Sequence, residues 1–468
     1  MSALFDPANV LAADFVPFFH DGKYHVFYLG VSSDAGDEAS PVWRHAVTRD
    51  FVAFEERPPV VEVPELPRKT MNLFGGSVVQ KDGAFHFFYT DCLPGTEATG
   101  NHAEQVVRRA VSHDLHEWRR DEEFVLRAEG PYNPGVWRAP HVFRAPDTGG
   151  YAMLLTSAHK EQAIVQRGCI ALATSDDLES WTIRPPFWAP DTVATQEAPN
   201  LFHLGKWWYL VYTTYGRGER IHYRMSRRLG GPWTAPDRDG LWAGALCAPR
   251  IVGPETAPHC FGWIPARKGE KDRGVWQWGG AMTALALRQR ADGTLALRLP
   301  DTTENAFPNA VRLDPTPLSG EWETGPTEIS TAGYQRIASV RCAPMPERGL
   351  LRTEVELQEK STDAGILLRA NAKRSWYYQL HLDRHNQLFR LDRWPLPGNA
   401  TFTVERPISI QPNRPIKLDV LVDGTALVAC VNGDACLCAR FYEHGGDSLQ
   451  FYVTEGDASF RNTTLRTT

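Results

Sequence analysis

Two stretches decide the fold: Asp21-Gly-Lys-Tyr-His-Val-Phe-Tyr28 and Asp82-Gly-Ala-Phe-His-Phe-Phe-Tyr89. Each places an Asp-Gly turn signal between an apolar run and a run of aromatic and β-branched residues. Each therefore reads as a tight hairpin between two strands. The phrase returns as Gly149-Gly-Tyr-Ala-Met-Leu-Leu155 and as Gly205-Lys-Trp-Trp-Tyr-Leu-Val-Tyr212. A second phrase follows each hairpin: Thr48-Arg-Asp50-Phe, Ser112-His-Asp-Leu-His-Glu-Trp118, Ser175-Asp-Asp-Leu-Glu-Ser-Trp181 and Ser226-Arg-Arg-Leu-Gly-Gly-Pro-Trp233. Copies lie about 50 to 65 residues apart, which is room for one four-stranded sheet each. A fifth, less regular unit runs from Phe261-Gly-Trp-Ile-Pro to Asp292-Gly-Thr-Leu-Ala-Leu-Arg298. Two β-sandwiches would not repeat two phrases in one order, whereas five sheets set radially do.

The sequence thus predicts an all-β chain whose residues 1–300 form a five-bladed β-propeller. Residues 301–320 are polar and Pro-containing and read as a linker. In 321–468 the pattern changes to alternating strands such as Arg352–Leu357 and Leu418–Val422, with hairpins at Asp423-Gly424 and Asn432-Gly433. This is the signature of a C-terminal β-sandwich.

Composition narrows the function. The chain has 468 residues, 50 Lys and Arg against 56 Asp and Glu, and a formal charge of −6, so no basic surface awaits nucleic acid. No apolar run approaches the length of a membrane-spanning helix. The start, Met-Ser-Ala-Leu-Phe-Asp, lacks the basic and apolar regions of a signal peptide, and a cytoplasmic location is expected. The 8 cysteines are scattered without a CxxC pair, which suits a reducing compartment better than a disulfide framework. Neither Cys436-Leu-Cys438 nor His259-Cys260 has metal-ligand spacing, and no metal or cofactor is expected.

In a propeller the innermost strand of each blade runs along the central channel, so its polar residues converge. Here these strands precede the aromatic hairpins: Asp14-Phe-Val-Pro-Phe-Phe19, Asn72-Leu-Phe-Gly-Gly-Ser77, Trp137-Arg-Ala-Pro-His-Val-Phe143 and Gln196-Glu-Ala-Pro-Asn-Leu-Phe202. Asp14 precedes Tyr24, and Glu197 precedes Trp207, by the same offset. The two acids are therefore expected at equivalent places, facing one axial pocket. A convergent carboxylate pair is what glycosidic cleavage requires: one attacks the anomeric carbon or activates water, and the other protonates the leaving oxygen. For either acid alone, a capping or turn role is the commoner explanation. Trp43, Trp137 and Trp263 are candidates for stacking on sugar faces, although most Trp residues must pack the blades. Asn72 and Ser77 are candidate hydrogen-bonding partners for a substrate. Arg138 can bind a sugar hydroxyl or orient a carboxylate. His141 is expected more as a wall residue than as a catalyst, and Asp91 as a turn acid.

These residues resemble glycoside hydrolase family 32, the invertase, inulinase and levanase family. Asp14 with the following Phe19-His-Asp-Gly-Lys-Tyr-His-Val-Phe-Tyr28 is similar to that family's nucleophile block, without its usual Asn-Asp-Pro-Asn-Gly surroundings. Phe74-Gly-Gly-Ser-Val-Val79 resembles its Phe-Ser-Gly-Ser block. Glu197-Ala-Pro-Asn-Leu-Phe202 resembles its Glu-Cys-Pro acid/base block, with Ala198 in place of Cys. Trp278-Gly-Gly-Ala-Met-Thr283 is similar to the block that closes its propeller. Leu421-Val-Asp-Gly424, Val431-Asn-Gly-Asp434 and Ala439-Arg-Phe-Tyr442 resemble its sandwich signature.

The resemblance implies a retaining β-fructofuranosidase with Asp14 as nucleophile and Glu197 as acid/base, acting on an oligosaccharide or glycoside. One departure stands out. The family has an Arg-Asp-Pro block whose Asp holds sugar hydroxyls and stabilises the transition state, and this chain has Arg138-Ala139-Pro140. Losing that contact costs on the order of 3 kcal/mol or more. Three alternatives to hydrolysis with retention follow. The first is a fructosyltransferase forming a cyclic difructose anhydride. The second is an inverting enzyme like the arabinofuranosidases. The third is a sugar-binding protein without catalysis, as Ala139 suggests.

Overall fold

The computed structural model describes residues 2–32, 41–61, 73–95, 103–214, 220–238, 240–241, 243–371, 373, 375–395 and 404–468. Its first half is the expected propeller. Blade one comprises Val10–His20, Lys23–Ser32, Val42–Thr48 and Phe54–Val61, and blade two Leu73–Lys81, Ala84–Leu93, Glu104–Ser112 and Trp118–Leu126. Blade three comprises Tyr132–Arg144, Tyr151–His159, Gly168–Ser175 and Thr182–Trp188. Blade five is Cys247–Val252, His259–Arg267, Trp276–Gln289 and Leu295–Arg298. The first strand of each blade touches the first strand of the next, and that of blade five touches that of blade one. The five first strands therefore surround one axis.

Blade four departs from the expected four strands. It has Glu197–Leu204, Trp207–Thr214 and Arg220–Ser226, and its outer edge is reduced to two isolated bridges, Met225 to Thr234 and His222 to Gly240. Pro232 and Pro236 in this stretch supply no amide donor, so a continuous fourth ladder cannot form. Blade five also begins earlier than the sequence phrase indicated, at Cys247.

The second repeated phrase is one turn used three times. Asp114 Oδ1 accepts from the His116 and Glu117 amides at 2.8 and 2.9 Å, and Ser112 Oγ from the Leu115 amide at 2.9 Å. Ser175 and Asp177 make the same set in blade three, and Thr48 and Asp50 in blade one. The residues at the bend, Phe51, Leu115 and Leu178, all have φ between 64° and 67°. Local side-chain bonds hold them in this left-handed conformation. In blade four Arg228 stands where the others carry Asp, and only its own amide bonds Ser226 Oγ.

The C-terminal half is a β-sandwich-like sheet system organised by the long strand Ser448–Thr467. That strand pairs with Glu328–Pro344, Arg348–Leu357, Asp363–Ala370 and Asn309–Val311. The hairpins expected at Asp423-Gly424 and Asn432-Gly433 are present, with positive φ at Gly424, Asn432 and Gly433. The segment 301–320 is more ordered than a linker. It holds a 3-10 helix, Asp301–Ala306, and two strands, Asn309–Val311 and Thr316–Ser319, that join the C-terminal sheet. Cysteine usage also departs from expectation: Cys430 and Cys436, directly opposed on adjacent strands, form a disulfide, and the other six cysteines are free.

The two halves share an apolar core. Leu285, Leu297 and Ile264 of blade five pack with Val428, Leu421 and Leu350 of the sandwich. A polar latch adds to it. Asp272, buried on the loop after His259–Arg267, accepts from the Tyr378 hydroxyl at 2.6 Å and the Tyr442 amide at 2.7 Å, and pairs with Arg393 at 3.2 Å. At the chain's start, Phe5 and Met282 exchange backbone bonds of 3.1 and 2.9 Å, which fastens the first residues to blade five. Asp423 Oδ2 in the sandwich accepts from Ser2 Oγ and from the Ala3 and Leu4 amides at 2.6, 2.8 and 3.0 Å.

Candidate active site

Every innermost strand carries one extra residue relative to its partner. The register slips between Ala13 and Val16, Phe74 and Gly76, Arg138 and His141, Glu197 and Asn200, and Cys247 and Arg250. Such bulges bend a strand and re-aim its side chains. Four of them place a residue at positive φ: Asp14 at 49°, Ala139 at 52°, Ala198 at 51° and Ala248 at 40°. These four are the equivalent positions, which corrects the register read from sequence. Asp14 aligns with Ala198, and Glu197 aligns with Ala13 and Arg138. The offset comparison misled because the hairpin of blade one closes on Lys23, whereas that of blade four closes on Trp207.

The two acids nonetheless stand on first strands that surround one axis. Glu197 and Asp14 act on one another electrostatically, from blades four and one. Asp14 Oδ2 accepts from the Gly75 amide at 3.2 Å. Burial pushes its carboxyl up to about 6, opposed by the Arg250 guanidinium and the Gly75 N–H, reinforced by Glu197 and opposed again by Arg138. Glu197 is buried and held by Arg138: Nε donates to Oε2 at 2.9 Å, and Nη2 donates to Oε1. Arg138 Nη1 and the Trp137 amide both donate to Gln105 Oε1, at 3.1 and 2.9 Å, so a side chain of blade two fixes the arginine.

Threonines from the second strands support the bulges. Thr90 Oγ1 accepts from the Ala139 amide and Thr156 Oγ1 from the Ala198 amide, each at 2.9 Å. The Ala139 methyl ends against Gly75, where a Cβ would stand 3.3 Å from it. Arg250 is 5% exposed, and its Nη1 donates to the Ala198 and Pro199 carbonyls at 3.0 and 2.7 Å. Burial pulls its guanidinium down to about 10, against the attraction of Asp14, so it is still a cation at neutral pH.

The remaining sequence candidates are placed as follows. His141 has both ring nitrogens engaged: Nε2 meets the Leu201 carbonyl at 2.8 Å and Nδ1 meets Asn200 Nδ2 at 3.3 Å. Burial and Arg250 press its pKa down to about 3, against the Leu201 bond, so the ring is neutral. Ser77 Oγ accepts from the Val142 amide at 3.0 Å and joins blades two and three. Trp137 and Trp43 are 0% exposed and Trp263 5%; they are packed among Met153 and Tyr132, among Phe87 and Tyr89, and against Phe15, respectively. None of the three turns an open face to the channel here, because each fills the interior between strands. Asp91 is not in a turn: it is buried within Ala84–Leu93, with Arg108 Nε at 3.6 Å. Asn72 lies outside the described residues.

The sequence reading missed Gln105, the threonine supports, Asn200 and Arg250. A signal for the last two was present. Arg138-Ala-Pro-His141, Glu197-Ala-Pro-Asn200 and Cys247-Ala-Pro-Arg250 are three copies of one phrase, and the third points directly at Arg250.

Residues 5–226 match the glycosyl hydrolases family 32 N-terminal domain. That N-terminal part of the chain belongs to glycoside hydrolase family 32. A levanbiose-producing levanase of Bacillus subtilis (strain 168) is 21% identical over 96% of this chain and 87% of its own length. Among solved structures, the exo-inulinase of Aspergillus awamori has a TM-score of 0.75 at 18% identity, covering 100% of this chain and 98% of its own. The sucrose-6-phosphate hydrolase of Lactobacillus gasseri has a TM-score of 0.77 at 16% identity, covering 100% and 92%. These likenesses extend across both halves of the fold, and family membership places the chain among the glycosidases.

Proposed function

We propose that the protein hydrolyses a β-fructofuranoside with retention of configuration. Asp14 attacks the anomeric carbon, and Glu197 protonates the leaving oxygen and then takes a proton from the water that releases the sugar. The observation that carries this reading is that two carboxylates on the inner strands of different blades influence one another from distinct surroundings. One is buried beside the Arg250 guanidinium and a backbone N–H, and the other is gripped by a two-pronged arginine. Arg138 orients Glu197, and Gln105 orients Arg138. His141, neutral and bonded on both nitrogens, is assigned to the wall, as is Ser77.

The test is methanolysis of sucrose and short fructans followed by NMR. A first product with the β configuration at the fructosyl carbon supports the double displacement. An α product, or turnover of arabinofuranosides in preference to fructosides, overturns it. One observation favours a second reading, sugar binding without turnover: Ala139 offers a methyl where the family Asp holds hydroxyls. That reading requires affinity for fructosides with no product from any of them.

A further inference from the structure

Arg250 is an unusual group to find beside a nucleophile. It is almost fully buried, yet among the described residues only Nη1 donates to an acceptor. Nε and Nη2 have no hydrogen-bond acceptor among the described residues. A Cβ at Gly75 would stand 3.6 Å from Arg250 Nη2 and 3.3 Å from the Ala139 Cβ, so cation and methyl flank one point. Gly75 also donates its N–H to Asp14, which brings the same point beside the reacting carboxylate. Where the family block supplies an acceptor at position 139, this chain supplies no acceptor there and a donor pair next to it. The polarity of that wall is reversed.

A largely buried guanidinium with two nitrogens that no described residue accepts from can donate both to a bound anion. Asp14 attracts it through space without a hydrogen bond. The positive charge that develops on a sugar ring in the transition state is disfavoured by a nearby cation, unless the sugar brings an anion to neutralise it. Arg138 cannot be that partner, since Glu197 and Gln105 occupy its guanidinium.

We propose that Arg250 binds an anionic substituent, a carboxylate or a phosphate ester, on the sugar ring attacked by Asp14, and so selects an acidic fructoside. This rests on the hydrolase reading above and adds its substrate class. The anion sits on the glycone because a group that acts directly on Asp14 lies against the ring that Asp14 attacks. The negative charge of a substituent on the leaving sugar would not reach it.

The test is calorimetric binding of D-fructose, D-fructose 1-phosphate, D-fructose 6-phosphate and 2-keto-D-gluconate, with sucrose 6-phosphate as the control that carries its charge on the leaving glucose. One or more of the three acidic monosaccharides is expected to bind at least about ten-fold tighter than fructose. Raising the salt should weaken that preference only modestly, because the pair is buried. Arg250→Met should abolish the preference for the acidic sugars over fructose, and Arg250→Lys should restore part of it. If Arg250→Met does not fold, the preference of the unaltered protein decides alone. Equal or weaker binding of all three acidic sugars, or a preference that survives Arg250→Met, overturns the proposal. The hydrolase reading falls separately, by absence of turnover on neutral and acidic fructosides alike.

Discussion

Arg138 and Glu197 sit at the same strand position in adjacent blades, and one grips the other: both oxygens of the carboxylate accept from a single guanidinium. The side chains are 20% and 10% exposed. A pair this sheltered is costly to break from one side, because the survivor is left as an unmatched charge. Arg138→Met is expected to lower kcat/KM by about 10²-fold or more and stability by about 2–3 kcal/mol, with Arg138→Lys recovering part of the stability but little of the rate. Urea unfolding and steady-state kinetics on the same preparations check both.

Asp14 must be ionised to attack, and its pKa lies near 6. The acidic limb of kcat/KM should therefore fall about there, well above an ordinary aspartate. Removing the Arg250 cation should move that limb to higher pH, since Arg250 holds the carboxyl down. A limb near pH 4 would contradict the assignment.

The same shift has a stability sign. The folded state holds the proton more tightly than the unfolded chain, so Asp14 costs nothing below about pH 4 and its full penalty above about pH 6. Asp14→Asn is expected to abolish turnover while stabilising the fold at pH 7–8 by up to about 3 kcal/mol. The gain should fade as pH falls from 6 to 4. Thermal melts across that range check it.

Ala139→Asp restores an acceptor at a residue with φ of 52°, a conformation Asp tolerates better than Ala. Turnover of neutral fructosides should rise by about 10²-fold, equivalent to roughly 3 kcal/mol of transition-state stabilisation. The new carboxylate should also pair with Arg250 and erase any preference for acidic sugars. An unchanged rate on neutral fructosides would show that position 139 no longer shapes the transition state.

Asp272→Ala removes the acceptor of the latch between the halves: the Tyr378 hydroxyl loses the carboxylate it donates to, the Tyr442 amide loses its acceptor, and Arg393 keeps its pair with Glu443. A loss of about 2–4 kcal/mol is expected, read as a lowered Tm. Tyr378→Phe removes the donor to Asp272 and the acceptor of the Glu443 and His444 amides but leaves Asp272 with the Tyr442 amide and Arg393, and should cost less than Asp272→Ala because no charge loses all its partners.

Much of this was legible in the sequence, for a physical reason. The Asp21-Gly22 and Asp82-Gly83 hairpins and the Ser112–Asp114 and Ser175–Asp177 turns are local structures whose determinants are adjacent in sequence, so repetition exposed them. The two acids were legible because convergence follows from the propeller itself. What escaped depends on bulges and on contacts between blades. The hairpin of blade one closes on Lys23 and that of blade four on Trp207, so Asp14 and Glu197 differ in register by one residue, and no pattern of apolar residues records that shift. Gln105 reaches Arg138 from another blade, across 33 residues. Arg250 escaped because blade five was read from its second strand onward.

The bridge between Phe5 and Met282, with Asp423 beneath Ser2 to Leu4, has a bearing on how the chain comes to be made. The partners of the first residues emerge from the ribosome only after most of the protein has been translated. Until then, the side of blade one that faces blade five has nothing to close against, and the apolar flank formed by Phe5, Phe15 and Tyr28 stays in water. Loop-closure entropy for so distant a pairing is unfavourable, and only the completed ring offsets it. The ring therefore has a late keystone at its seam, and chaperone dependence should concentrate there.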